Sequence, residues 1–181
     1  MSQKREIALG VTGSIAAYKS LELARRLKED KDITLSVIMT KEAQEFIRPL
    51  SFQALSVSKV YKDIFTQPDN WEIEHISLAE RVSLILICPA TANIIAKLAC
   101  GICDDLLTCV VCATKAPILI APAMNDNMFN HKIVQENIKR LKSLGYKFIG
   151  PRKGRLASGK EAIGCLENID VIVREARRLA K

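Results

Sequence analysis

Short apolar runs punctuate the chain, and each stops at a turn-forming residue. They are Glu6–Val11, Ile33–Met39, Val82–Cys88, Ala116–Ala121 and Tyr146–Ile149. The first ends at Thr12-Gly13-Ser14, the second at Thr40, the third at Pro89, the fourth at Pro122 and the fifth at Gly150-Pro151. Runs that are apolar on both faces suit strands buried in a parallel sheet. Between them the apolar positions change to helical spacing. Ala16, Leu23, Ala24 and Leu27 share one face after the first run. Val134, Ile138 and Leu141 share another ahead of Gly145, a suitable helix C-cap. Ile169, Ile172, Val173, Ala176 and Ala180 form a stripe on a basic terminal helix. This alternation predicts an α/β fold, a doubly wound parallel sheet with helices on both faces, three layers deep. Ligands of such sheets sit beyond the carboxyl ends of the strands, so the turns after the runs are where chemistry is expected.

A length of 181 residues suits one domain, residues 1–181, with a sizeable core. A hydrophobic share of 49% and a charged share of 26% exclude a disordered chain. No apolar run reaches the roughly 18–20 residues of a membrane-spanning helix, and Met1-Ser2-Gln3-Lys4-Arg5-Glu6 does not lead into a signal peptide. A cytoplasmic location is expected, with no membrane partner. The net charge of +7 is spread along the chain, with short clusters such as Arg25-Arg26 and Arg177-Arg178. Aromatic residues are only 5%, too few for an evident base-stacking platform, so no nucleic acid is expected. The charge reads as a solvated surface with some pull on phosphates.

Cys100-x-x-Cys103 and Cys109-x-x-Cys112 have zinc-like internal spacing. Their neighbours Leu98-Ala99, Leu106-Leu107 and Val110-Val111 point instead to buried helix. Buried thiols acting as small core residues are expected there, and no metal.

The turns carry the candidate chemistry. Thr12-Gly13-Ser14-Ile15-Ala16-Ala17-Tyr18-Lys19 opens a helix after the first strand. It lacks both the dinucleotide fingerprint and the P-loop pattern. Gly13 permits a sharp turn and Ser14 can cap, so the motif suits an anion or simply a helix start. Pro89-Ala90-Thr91-Ala92-Asn93 offers small residues against a flat ligand and two hydrogen-bonding side chains, or a capped turn. Pro122-Ala123-Met124-Asn125-Asp126-Asn127-Met128 places an amide that can read a carboxylate beside two methionines that can line a pocket. The same residues suit a capped loop. His75, one of two histidines, is a candidate general base or a structural residue.

Taken in order, the motifs at 13–19, His75, 89–93, Gly101-Ile102-Cys103-Asp104-Asp105-Leu106-Leu107-Thr108 and 122–128 resemble the homo-oligomeric flavin-containing cysteine decarboxylases. The resemblance covers nearly the whole chain and is nearest to the coenzyme A biosynthesis branch of that family. It implies a flavodoxin-like fold that binds FMN without covalent attachment. It implies that Gly13, Ser14 and Thr40 hold the FMN phosphate and ribityl chain, with Thr91, Asn93, Ile15 and Ala92 against the flavin. It makes His75 the active-site base, Asn125 the ligand of the substrate carboxylate and Met128 part of the substrate pocket. The implied assembly is a homotrimer, or a dodecamer of trimers, with FMN sites between protomers. The implied reaction is decarboxylation of 4'-phosphopantothenoylcysteine to 4'-phosphopantetheine. In it a flavin oxidises the cysteine unit to an electron sink, CO2 leaves, and the resulting enethiol is reduced with a cysteine thiol supplying a proton. The ligase that makes the substrate would be a separate protein, or was trimmed away.

The resemblance also places a mobile substrate clamp at 150–168, and here the chain departs from the family. Ser158 stands where the family's clamp cysteine is expected, and Cys165 where an arginine is expected. A hydroxyl is a far weaker acid than a thiol, whose usual pKa is about 8.5. Cys165 substitutes for the missing thiol, the enzyme releases an enethiol, or the serine was engineered. An oxidative, lantibiotic-type peptidyl-cysteine decarboxylase is therefore an alternative, although Ala123 stands where those enzymes tend to carry asparagine. A non-catalytic flavoprotein regulator is another, without the acidic extensions such relatives carry. A prenylating flavin transferase on a similar fold would leave Asn125 unexplained.

Overall fold

The computed structural model describes residues 5–55, 57–63 and 74–181. Trp71–Ile73, which precede His75, and the first four residues lie outside the described residues. The strands are β1 (Arg5–Val11), β2 (Ile33–Met39), β3 (Lys59–Tyr61), β4 (Val82–Ala90), β5 (Ile118–Pro122), β6 (Lys147–Phe148), β7 (Arg152–Arg155) and β8 (Glu161–Cys165). The helices are α1 (Lys19–Lys28), α2 (Ala43–Phe46), α3 (Pro49–Gln53), α4 (Glu74–Arg81), α5 (Ala92–Cys100), α6 (Leu106–Ala113), α7 (Asp126–Asn130), α8 (Lys132–Ser143) and α9 (Ile169–Leu179). A 3-10 turn at Ile15–Tyr18 precedes α1.

Six strands form a parallel sheet in the order β3-β2-β1-β4-β5-β6. The chain first winds outward from β1 through β2 to β3, then returns to the other side of β1 and winds outward again. The point of reversal lies between β1 and β4, where the loops that follow the two strands part and leave a crevice. Alternate strand residues enter opposite layers. Ile7, Leu9, Leu84, Leu86 and Leu119 pack with Leu23, Leu27, Ile172 and Val173 of α1 and α9. Ala8, Ile85, Ile87 and Ile120 pack with Ile94, Leu98, Leu107, Val110 and Leu141 of α5, α6 and α8. Leu86 and Ile87 are both fully buried, on opposite faces of β4. Each such side chain contributes on the order of 1.5–3 kcal/mol. The three-layer doubly wound sheet expected from the hydrophobic pattern is therefore present.

Local details differ from expectation. β4 does not stop before Pro89 but runs through it to Ala90. Its register with β5 shifts between Ile87 and Ala90, so the proline, which has no N–H, falls in the irregular stretch. The cysteines are not uniformly buried. Cys88 is, but Cys100, Cys103 and Cys112 are exposed and Cys109 and Cys165 are half-buried. In α6, Leu106, Leu107, Val110 and Val111 turn to the core and leave Cys109 and Cys112 on the other side. Burial, together with the neighbouring Cys103 and Cys109 thiols, pushes the Cys112 thiol up to about 11.

Candidate functional site

The loops after β1, β4 and β5 are tied together by side-chain hydrogen bonds. The Thr12 hydroxyl donates to the Pro89 carbonyl at 2.7 Å and accepts from the Thr91 N–H at 3.2 Å. This links the two loops that part at the crevice. Ser14 caps the 3-10 turn by accepting from the Ala16 N–H and donates to the Ala123 carbonyl at 3.2 Å, linking the first loop to the third. At position 13 any Cβ would lie 2.4 Å from the Glu42 Cβ, so only glycine lets the loop pass this close to the start of α2. Thr91 is the N-cap of α5, accepting from the Ile94 N–H at 3.3 Å.

Asn125 is the N-cap of α7. Its Oδ1 accepts from the Asn127 N–H at 2.9 Å. That bond assigns the oxygen, and so leaves the amide Nδ2 hydrogens to donate elsewhere. The next residue, Asp126, is buried and accepts from Lys160. Lys160 holds the Asp126 carboxyl below the usual aspartate range.

Lys160 belongs to the turn of an antiparallel hairpin, β7–β8, that lies over these loops. Its second strand is docked by backbone, the Met124 N–H donating to the Gly164 carbonyl at 3.0 Å. Across the hairpin, the Cys165 Sγ–H donates to the Arg155 carbonyl at 3.3 Å.

Loops and hairpin together enclose a cavity of about 620 Å3, within the usual size range of small-molecule sites, roughly 300–1,000 Å3. Of the residues singled out from the sequence, Gly13, Ser14, Ile15, Thr91, Ala92, Asn125, Met128 and Ser158 line it. Thr40 and Asn93 line a second cavity of about 240 Å3, which shares Gly13, Thr91 and Met128 with the first. His75 stands apart. It lies in the first turn of α4, half-buried, and lines neither cavity.

Three further lining residues have no individual role assigned from the sequence pattern. Lys19 closes the G-S-I-A-A-Y-K motif but carried no role there. Arg155 and Leu156 sit in the hairpin, whose shape no apolar alternation marks. Cys165, which occupies an arginine position of the family and is one candidate for the missing clamp thiol, shares the large cavity with Ser158.

The lining chemistry fits a flavin. Gly13, Ala16, Ala92 and Ala123 give flat walls close to the backbone, which suit a planar ring. Ser14, Thr91 and Asn125 give hydrogen-bonding edges, while Lys19 and Arg155 are the charged residues of the large cavity. Among the described residues no carboxylate lines the large cavity, whereas Glu42 and Asp105 line the smaller one.

Comparison with known proteins agrees with this reading of the fold. A family model described as Flavoprotein matches residues 1–181. The chain is 44% identical over 178 residues to the coenzyme A biosynthesis bifunctional protein CoaBC of Bacillus subtilis, covering 98% of this chain and 44% of that protein. It thus spans about half the length of the bifunctional relatives it matches. It is 40% identical over 173 residues to a probable phosphopantothenoylcysteine decarboxylase of Streptococcus mutans, covering 94% of this chain and 96% of the relative. Among solved structures, a Cys-to-Ser mutant of PPC decarboxylase complexed with pantothenoylaminoethenethiol superposes with a TM-score of 0.86 at 30% identity, over 97% of both chains. The FMN-dependent cysteine decarboxylase SpaF superposes with a TM-score of 0.85 at 27% identity, over 98% of both chains.

Proposed function

This chain belongs to the Flavoprotein family, and from that premise we propose that it binds FMN and decarboxylates 4'-phosphopantothenoylcysteine to 4'-phosphopantetheine in coenzyme A biosynthesis. The observation that carries the reading is Asn125. Its oxygen is spent on the Asn127 N–H, so its amide hydrogens are left for an acceptor at a cavity whose walls suit a flat ring. A substrate carboxylate is such an acceptor.

Gly13, Ser14, Ile15, Thr91 and Ala92 would hold the flavin from the large cavity, with Thr40 and Asn93 from the smaller one. FMN, when bound, supplies the two-electron chemistry that makes a cysteine carboxylate able to leave as CO2. The protein contributes position and protons. Asn125 fixes the carboxylate. The hairpin covers the cavity and keeps water from the reacting end. The Cys165 Sγ–H, present in the same cavity, is the proton donor we assign to the final reduction, because the Ser158 hydroxyl is too weak an acid. His75 serves as base in the site of a neighbouring copy, since within one chain it reaches neither cavity. The assembly is accordingly a homotrimer, or a dodecamer of trimers.

The test is turnover of 4'-phosphopantothenoylcysteine by the FMN-loaded protein. CO2 release with formation of 4'-phosphopantetheine is the expected result, and its absence removes the reading. Ser158 favours a second reading, an oxidative peptidyl-cysteine decarboxylase that stops at the enethiol. A panel of peptides ending in cysteine separates the two, since the first reading expects no mass loss from any of them.

A further inference from the structure

Among the described residues the large cavity carries two cations and no carboxylate: Lys19, the first residue of α1, and Arg155, the last residue of β7. Several other cations on this fold are paired with acids. Arg25 and Arg26 hold Glu22, Lys97 holds Asp104 and Asp105, and Lys160 holds Asp126. Lys19 and Arg155 have no ion pair among the described residues. The Lys19 ammonium lies 5.8 Å from the centroid of the Tyr18 ring, and the residue is half-buried. Arg155 is exposed, and both residues border the same mostly small and apolar cavity, so an anion bound there meets two positive partners.

Under the decarboxylase reading, on which this inference rests, the anions to be placed are the substrate carboxylate, the flavin phosphate and the substrate phosphate. Asn125 accounts for the first. The second goes, under the proposed function, to the turn at Gly13 and Ser14 with Thr40 beyond it, on the side of the smaller cavity, where Glu42 and Asp105 also stand. The third is left for the two cations. We propose that Lys19 and Arg155 together read the terminal phosphate monoester of the substrate, and that they set the preference for the phosphorylated molecule over the same molecule without its phosphate.

The two residues divide the work. Lys19 is anchored on α1, whose Leu23, Ala24 and Leu27 are buried against the sheet, and offers a point charge. Arg155 belongs to the hairpin and offers a planar fork that matches two phosphate oxygens. The monoester carries about −1.5 to −2 charges at neutral pH. Held between them, it bridges the body of the protein to the hairpin. The end of the substrate remote from the chemistry would thereby help hold the cover in place, so the phosphate acts on turnover as well as on binding.

The experiment compares 4'-phosphopantothenoylcysteine with pantothenoylcysteine on the FMN-loaded protein. The parent is expected to favour the phosphorylated substrate in kcat/KM by about ten- to a hundredfold, the range of one or two charge-assisted hydrogen bonds. Lys19→Gln and Arg155→Gln should each reduce that ratio by about tenfold, and Lys19→Arg should keep most of it. Calorimetric binding of 4'-phosphopantetheine and of pantetheine gives the same ratio without turnover, and flavin absorbance reports FMN retention. Equal use of both substrates by the parent overturns the proposal. So does an undiminished ratio in both Gln variants. So does loss of FMN with an intact phosphate preference in whatever flavin-loaded protein remains, which assigns the cations to the flavin phosphate. If the parent decarboxylates neither substrate, the decarboxylase reading fails, and the calorimetric ratio still decides whether these two residues bind a phosphate monoester.

Discussion

Gly164 and Met124 meet backbone to backbone. The Met124 N–H donates to the Gly164 carbonyl at 3.0 Å, and a Cβ at position 164 would lie 2.2 Å from the Met124 carbonyl oxygen. Gly164 has a φ of +137°, which side chains rarely adopt. The hairpin therefore touches the protein one residue from Asn125, at a contact only glycine permits.

Gly164→Ala should lift the hairpin from that loop. Displacement of about 1 Å beside a reacting group can cost on the order of a hundredfold in rate. We expect kcat/KM to fall by about that factor and backbone exchange across residues 152–165 to quicken, while FMN stays bound. Unchanged kinetics would mean that the hairpin does not shape the site.

Asn125→Asp isolates chemistry from folding. Aspartate caps a helix as well as asparagine, so α7 keeps its bond to the Asn127 N–H. What changes is the other side of the group, where two donors become a negative oxygen. Facing a substrate carboxylate, this like-charge contact costs several kcal/mol in order of magnitude. The expected result is an unchanged thermal midpoint with turnover lost, read by melting and CO2 release on the same sample.

His75→Asn should abolish decarboxylation with FMN retained. Because His75 lines neither cavity of its own chain, mixing this variant with Asn125→Asp should restore activity through sites that draw one intact residue from each copy. Mixed oligomers without any recovered turnover would place the histidine outside the site.

Cys165→Ser should stall the reduction, giving a product two hydrogens lighter than 4'-phosphopantetheine and leaving reduced flavin. Adding Ser158→Cys to that variant should bring back the reduced product, since a thiol again lines the cavity. Mass spectra of single-turnover products distinguish the outcomes, and fully reduced product from Cys165→Ser alone would clear both side chains of the role.

Asp126 makes the hairpin contact sensitive to acid. Its carboxyl is held below the ordinary value by Lys160, so the pair stabilises the folded state fully above the usual aspartate pKa, near 3.9. That contribution is lost as the pH falls through the lowered folded value. Urea unfolding of the parent and of Lys160→Met should differ by a constant amount from about pH 7 to pH 5 and converge below about pH 4. A difference that persists in acid would rule out the ion pair as its source.

Much of this was legible in the residues themselves. The β-branched, two-sided apolar runs announced the buried parallel strands, and the small polar turns after them marked the end of the sheet where the cavity lies. Ser14, Thr91 and Asn125 each cap a helix or 3-10 turn and also line the large cavity, so capping does not take them away from it. The three-residue β3 was not visible, because Lys59-Val60-Tyr61 is too short to show a period. Nor was the β7–β8 hairpin as structure, since Arg152-Lys153-Gly154-Arg155 carries no apolar alternation and was marked only by family resemblance.

The five apolar strands of the sheet, the helices that follow them and the chemistry available at each turn could be read from the residues alone, because hydrogen bonding, capping and hydrophobic period act between residues close in the chain. Only the tertiary structure decided which of those groups share a cavity. Lys19 and Arg155 are separated by 136 positions, read from their numbers, yet border the same space. His75, which the motif order placed among the site residues, lies away from it. The cysteines of α6 face outward because the helix spends its apolar face on the sheet. Strand order and hairpin docking set these relations, and both are made by contacts between distant segments, for which no local pattern carries a signal.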